Sequence, residues 1–298
     1  MCGIVGLLVK NPELRAQLGE LMLPMLIGMS ERGPESAGLA VFTEAVGAGR
    51  RKFSVYSGSA TVHWAAFTQE AIRELGADTA VSVQANHAVL ETAAVPQQVK
   101  AWLTKSYPHY HLLSVGQSID LYKDTGTPGE VAARYAFSGL QGSHLVGHTR
   151  MATETAVTPE RAHPFTAGED FCLVHNGSLS NPYSVRRKLE PLGIKFETDN
   201  DTEAACRFIE WRMQQGETLD QALHTAFQEL DGFYTLLIAT NDQMTLVRDA
   251  FACKPAVVAE TDAYVAIASE FRSLAHLPDV ANANIFEPLP EVIHSWTV

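Results

Sequence analysis

The chain is predicted to be an α+β protein, with two packed sheets of mostly antiparallel strands, helices outside them, and an inserted α/β subdomain at about residues 50–140. Three observations predict this. Short apolar runs recur from Gly3 to Ala268 at strand length. Segments with helical spacing flank them rather than alternating strictly with them. Turn residues such as Asn241-Asp242 join the later runs into hairpins.

Gly3 to Val9 is an apolar run that reads as a buried strand. Asn11-Pro12-Glu13 offers an N-cap, a proline at the first helical position and an acid in the first turn. Leu14, Leu18, Leu21 and Met25 follow at helical spacing, and Pro24 should disturb that helix. Arg32-Gly33-Pro34 is a turn, and Gly38 to Thr43 is a second strand. Within the insertion, Phe53–Tyr56 and His87–Glu91 read as strands, Ala65–Leu75 and Pro96–Lys105 as helices, and His111–Lys123 as two strands around Gly116. Thr127-Pro128-Gly129-Glu130 starts its last helix as a capping box. Leu145–His148 and Phe171–His175 are further strands, Asp201–Gln214 and Leu219–Leu230 are helices, and four strands close the pattern: Phe233–Ala239, Met244–Arg248, Ala256–Ala259 and Tyr264–Ala268.

Hydrophobic residues make up 46% of the 298 and charged residues 19%, ample for a packed core. A net charge of −12 with no long Lys/Arg run argues against nucleic-acid or anionic-membrane surfaces. Leu21 to Met29 is too short for a membrane span and is broken by Pro24, so a soluble, cytoplasmic protein is expected. Four cysteines without CxxC spacing make neither a disulfide framework nor an iron–sulfur site. Cys172 and His175 resemble half a zinc site, but no second pair completes four ligands, so no metal is expected. Cys172, Cys206 and Cys253 read as small buried hydrophobes.

The GxxxxGK[ST], GxGxxG, HExxH and GxSxG signatures are all missing. What remains is a set of polar stretches at strand ends. Removal of Met1 would leave Cys2 as the N-terminus, with its thiol beside an α-amine of reference pKa about 7.7–8.0 that can accept a proton near neutral pH. Arg150, in Gly147-His148-Thr149-Arg150-Met151-Ala152-Thr153, offers a planar fork for a carboxylate, or a plain surface ion pair. Asn176 and the N–H of Gly177 would make two donors for an oxyanion, although Asn-Gly is more often a simple turn. Asp201 stands directly before a helix, where it either caps it or faces a ligand ammonium.

Taken together and in order, these stretches resemble the class II glutamine amidotransferases, the N-terminal-nucleophile type. The resemblance is carried by Cys2-Gly3-Ile4-Val5-Gly6, Arg32 to Gly38, Gly147 to Thr153, Ala162-His163-Pro164-Phe165, His175-Asn176-Gly177 and Asn200-Asp201-Thr202-Glu203. Arg248-Asp249 with Lys254-Pro255, and Ala268-Ser269-Glu270, look like the closing strands of that domain. The match covers residues 1–43 and about 143–275, and Glu35 stands where the family usually has Asp. It implies a four-layer αββα sandwich, a single amidotransferase domain over 1–298 interrupted by the insertion, and hydrolysis of L-glutamine to glutamate and ammonia. Cys2 would be the nucleophile with its own amine as base, Asn176 and Gly177 the oxyanion donors, Arg150 the grip on the substrate carboxylate, Asp201 the grip on its ammonium, and Thr153 part of the pocket wall.

No synthase domain follows within the sequence, so ammonia made here is expected to need a partner. The runs Asp231-Gly232-Phe233-Tyr234 and Cys253-Lys254-Pro255-Ala256-Val257 look most like the small amidotransferase subunit of glutamate-synthase-like complexes, a group that includes N-methylglutamate synthase. That resemblance implies an FMN-containing synthase subunit, possible iron–sulfur centres on partners, a third subunit, and no cofactor in this chain. A free-standing amidohydrolase and a non-catalytic scaffold subunit are the alternatives.

Overall fold

A computed structural model describes residues 2–59, 61–151 and 157–298. In chain order the elements are β1 (Gly3–Val9), α1 (Leu18–Ile27), β2 (Ser36–Phe42), β3 (Arg51–Ser57), α2 (Trp64–Leu75), β4 (Ala80–Gln84), β5 (His87–Thr92), α3 (Pro96–Ser106), β6 (Tyr110–Gly116), β7 (Ile119–Thr125), α4 (Pro128–Arg134) and β8 (His144–Arg150). There follow β9 (Phe165–Thr166), β10 (Phe171–Leu179), α5 (Pro182–Leu189), α6 (Asp201–Gln214), α7 (Leu219–Glu229), β11 (Gly232–Thr240), β12 (Gln243–Arg248), β13 (Val257–Glu260), β14 (Tyr264–Ala268), β15 (Asn284–Phe286) and β16 (His294–Thr297).

Side-chain alternation along the strands builds the layers. In β1, Val5, Leu7 and Val9 pack with Met22, Met25 and Leu26 of α1 on one face. Ile4 and Leu8 point the other way, into a core shared with Cys172 and Val174 of β10, Leu237 of β11 and Leu246 of β12. The opposite face of β10 and β11 presents Leu173, Leu236 and Ile238 to Val185, Leu189, Phe208, Ile209 and Leu223 of α5, α6 and α7. A seven-stranded sheet, β15-β13-β14-β1-β8-β2-β7, thus stacks on a five-stranded one, β16-β12-β11-β10-β9, with helices outside both. This is the expected αββα sandwich.

The insertion has a sheet of its own, β4-β5-β3-β6. Phe53, Val55 and Leu90 of that sheet pack on Phe67, Val99, Trp102 and Leu103 of α2 and α3 in a separate core. The insertion was expected to run to about 140, but its sheet ends at Gly116. β7 pairs with β2 along its whole length, and Val131, Ala132 and Tyr135 of α4 and its C-terminal end join the α1 core. Locally β6 and β7 look like one hairpin; only long-range pairing separates them.

Other departures have local causes. The α-helix starts at Leu18 because Pro12–Gln17 forms a 3₁₀ turn, capped by Asn11 Oδ1 accepting from Glu13 N (3.0 Å). Pro24 does not break α1, which continues to Ile27. The strand β4 (AVSVQ) escapes an apolar-run search because it is a largely exposed edge. Cys172 and Cys206 are buried free thiols, and burial pushes both up, away from reactivity; Cys253 is free but exposed, against expectation, because it sits in a surface loop before β13. No helix among the described residues is long and apolar enough to cross a membrane.

Burial pushes His87 and His148 down to about 3 and His144 to about 4, from an ordinary value of 6.5. The unfolded chain therefore binds more protons than the folded one between these values and 6.5. Stability is complete above that window and falls as pH drops through it, by up to about 1.4 kcal/mol per pH unit for each histidine. Urea unfolding should show a declining midpoint from pH 7 to pH 5, before most carboxylates titrate. A flat profile over that range would contradict neutral burial of these rings.

Candidate active site

Alternation places three of the expected residues on the same layer. Cys2 continues the Ile4–Leu8 face of β1, Arg150 continues the Val146–His148 face of β8, and Asn176 continues the Cys172–Val174 face of β10. Each lies at a strand end. Because β1 and β8 are antiparallel, with Gly3 opposite Thr149, the start of one meets the end of the other. His148 Nε2 lies 3.0 Å from the His175 carbonyl, which brings the end of β10 to the same edge.

The first residues are tied down. Ile4 N donates to Ser269 Oγ (2.9 Å), and Ser269 N returns to the Ile4 carbonyl (3.0 Å). The Cys2 carbonyl accepts from Arg32 Nε (2.9 Å), and Cys2 Sγ lies 3.9 Å from the Met151 carbonyl. Arg32 is buried and its guanidinium meets Glu270 Oε1 at 2.9 Å, while Glu270 Oε2 meets Arg272 at 2.7 Å. The hydrogen bond from Arg32 and the charge of Arg272 hold the Glu270 carboxyl below the usual range. Arg32 can reach Cys2 only because Gly33 lies flat on β8: a Cβ there would stand 2.3 Å from the Thr149 carbonyl carbon.

Arg150 is buried at the end of β8, opposite Ser36, and its carbonyl accepts from Glu35 N at 3.2 Å. Asn176 and Gly177 lie inside β10, opposite Thr235 and Tyr234, and do not form the Asn-Gly turn that the dipeptide permits. Asn176 is 3% exposed, yet its Nδ2 finds no hydrogen-bond partner among the described residues. A buried, unsatisfied donor is costly and points to a ligand acceptor. Gly177 has φ +143°, and a Cβ would fall 1.9 Å from the Phe233 carbonyl oxygen. Its N–H lies on the same edge as that of His175, facing away from β11.

Asp201 opens α6, but the N-cap is Asn200, whose Oδ1 accepts from Thr202 N (2.9 Å). The Asp201 carboxylate reaches back to β10, where Oδ2 accepts from Leu179 N at 2.9 Å, and it remains a quarter exposed. A carboxylate there is favoured by the helix N-terminus and by that amide. Thr153 lies outside the described residues.

Nothing in the local sequence assigns a role to Arg32, Ser269, Glu270, His148, His163 or Thr202. Spacing carries no signal that residues 30 to 268 positions apart would meet at Cys2. A cavity of about 340 Å³ lies between the insertion and α6, lined by residues including Lys100, His111, Lys123, Glu197 and Arg207; Cys2, Arg150, Asn176 and Asp201 are not among its walls.

Residues 148–276 match the model of a glutamine amidotransferase domain. Over 297 residues the chain is 46% identical to the glutamine amidotransferase-like protein GlxB of Rhizobium meliloti, covering 99% of this chain and 98% of that one. The chain belongs to the glutamine amidotransferase family. A putative glutamine amidotransferase of Methanothermobacter thermautotrophicus is 30% identical over 301 residues, 97% of each chain, so this likeness too runs through the insertion. Among solved structures, the glutamine phosphoribosylpyrophosphate amidotransferase from B. subtilis superposes with a TM-score of 0.61 at 19% identity. This chain spans about half of that one (49%), and the likeness is one of fold.

In this chain, Gly177→Ala should be poorly tolerated, since the new methyl collides with backbone. A loss of more than about 2 kcal/mol is expected, visible as a thermal midpoint lowered by about 3 °C or more. An unchanged midpoint would contradict the placement of Gly177 in β10.

Proposed function

We propose that the chain hydrolyses L-glutamine to glutamate and ammonia with Cys2 as an N-terminal nucleophile, and serves a separate synthase subunit. The observation that carries this is the meeting of Cys2, Arg150 and Asn176 at one edge of the layer between the sheets, with Asn176 Nδ2 buried and unsatisfied among the described residues. Glutamine needs a nucleophile, an anion grip, a cation grip and oxyanion donors, and this edge offers one candidate for each.

The chemistry follows from these positions. With Met1 removed, the Cys2 amine takes the thiol proton, and the thiolate attacks the side-chain amide carbon of glutamine. Charge moves to the amide oxygen, where Asn176 Nδ2 and the Gly177 N–H donate to it. The ammonium of Cys2 returns its proton to the departing nitrogen, and ammonia leaves a glutamyl thioester. Water, deprotonated by the same amine, then releases glutamate and the thiol. Arg150 holds the substrate α-carboxylate and Asp201 its α-ammonium.

The acceptor subunit is an FMN-containing glutamate-synthase-like protein of the N-methylglutamate-synthase type, with any iron–sulfur centres on partner chains. Support comes from the resemblance of residues 231–234 and 253–257, and from an exposed aromatic pair next to the site. Phe233, opposite Ser178 in β10, is 47% exposed, and Phe251 is 73% exposed with its ring 5.2 Å away. Exposed rings side by side are a docking feature more than a core feature.

Kinetics test the catalytic roles. Cys2→Ala should lose about three or more orders of magnitude in glutaminase turnover with its thermal midpoint kept, and Arg150→Lys should raise KM for glutamine about tenfold, since one of two parallel hydrogen bonds is lost. Undiminished turnover in the first, or an unaltered KM in the second, would remove that residue from the site. For the partner, affinity purification of the tagged chain from its native cells should bring down a flavoprotein with bound FMN. A chain that purifies alone, with full glutaminase activity, would support a free amidohydrolase instead.

A further inference from the structure

We propose that His148 and His163 are positioning residues that clamp the end of β10 and so hold the oxyanion donors Asn176 and Gly177 in place. The inference rests on the glutaminase reading above and extends it to the residues that support its oxyanion donors.

Among the described residues, one edge of β10 lacks a neighbouring strand over its C-terminal half. β9 has two residues, paired with Cys172 and Leu173 of β10, and Pro164 ends it. A proline carries no N–H and cannot extend a ladder. The next β10 residue on that edge is His175, and among the described residues its backbone N–H and C=O have no strand to pair with, in a region that is buried. Two histidine side chains supply what β9 does not. His163 Nδ1 accepts from His175 N at 3.3 Å, and His148 Nε2 lies 3.0 Å from the His175 carbonyl. A carbonyl only accepts, so Nε2 of His148 carries the proton.

The two rings stack with centroids 3.9 Å apart and planes 13° from parallel. Because His163 Nδ1 accepts, its proton sits on Nε2, which faces Thr202 Oγ1 at 3.3 Å. Thr202 Oγ1 in turn lies 2.9 Å from His175 Nδ1 and 3.4 Å from Asp201 Oδ1, while His175 Nδ1 is 3.7 Å from the same Asp201 oxygen. One closed set of contacts therefore links the β10 backbone, the start of α6 and the proposed ammonium grip. Burial lowers all three histidines, with Arg150 a further unfavourable charge for His148 and His163, so the rings stay neutral and each keeps one acceptor nitrogen. Both nitrogens of His163 are engaged, which leaves it a structural rather than a proton-shuttling task.

The position of the clamp gives it leverage. His175 immediately precedes Asn176, and donors to a developing oxyanion lose their effect when displaced by about 0.5 Å. Loss of the clamp frees the strand end where it is least supported, beyond β9, while the ladder to β11 persists.

The test pairs kinetics with hydrogen exchange in the full chain. In His163→Ala, kcat for glutamine should fall about 10- to 100-fold with KM within about twofold, and amides of residues 171–179 should exchange faster while those of β1 and β14 do not. His163→Asn places an amide oxygen where Nδ1 was, and His148→Gln places a donor where Nε2 was; each should recover most of the activity and protection lost in its alanine counterpart. Equal activity in the alanine variants, or faster exchange spread evenly through both sheets, overturns the clamp. A wild-type chain that does not turn over glutamine overturns the glutaminase reading instead, and local exchange at 171–179 still reports whether the histidines hold that strand.

Discussion

Two antiparallel sheets stacked face to face, about 10 Å apart, enclose a layer that only side chains of one parity can enter. Ile4 and Leu8 from one sheet and Cys172 and Val174 from the other fill that layer with apolar surface. Where the strands end, the same parity delivers Cys2, Arg150 and Asn176 in place of hydrophobes. The proposed site thus inherits its geometry from strand register. A slip of one residue in β1, β8 or β10 would turn the corresponding group to the helical side of its sheet and dismantle the constellation.

The proposed nucleophile, Cys2, lies next to the start of the chain, where residues are normally the least ordered. Here order comes from backbone pairing of Gly3 to β8, the reciprocal bonds between Ile4 and Ser269, and Arg32 on the Cys2 carbonyl. Arg32 is itself buried and needs Glu270 at 2.9 Å, because an unpaired guanidinium there would be expensive. These groups hold the backbone of Cys2 and leave its thiol at the edge, an arrangement suited to a residue that must be both fixed and accessible. The His148–His163 pair performs a similar service for the opposing strand, replacing a ladder that Pro164 terminates.

Much of this was legible in the sequence, for identifiable reasons. Apolar runs such as Gly3–Val9 and Tyr264–Ala268 and the helix Asp201–Gln214 announce themselves by local periodicity, and the polar motifs at their ends announce the candidate residues. What stayed hidden depends on distant pairing or on polar segments. β7 looks like part of the insertion until its pairing to β2 is known. α5, with Arg186, Arg187 and Lys188 in eight residues, carries too little apolar signal to stand out. Asn176-Gly177 reads locally as a turn, and only the approach of Phe233 shows why a strand needs glycine there. Arg32 and Glu270 lie 238 positions apart, and no spacing rule brings them to the Cys2 backbone.

The central claim is that Cys2, freed as the N-terminal residue, is a nucleophile set against glutamine. Its most direct test is the intact mass of the purified chain before and after incubation with an electrophilic glutamine analogue, followed by peptide mapping. The account predicts loss of Met1 and a single adduct on Cys2, with the exposed thiol of Cys253 unmodified at matched dose. A chain that retains Met1 and takes no adduct on Cys2 would contradict it.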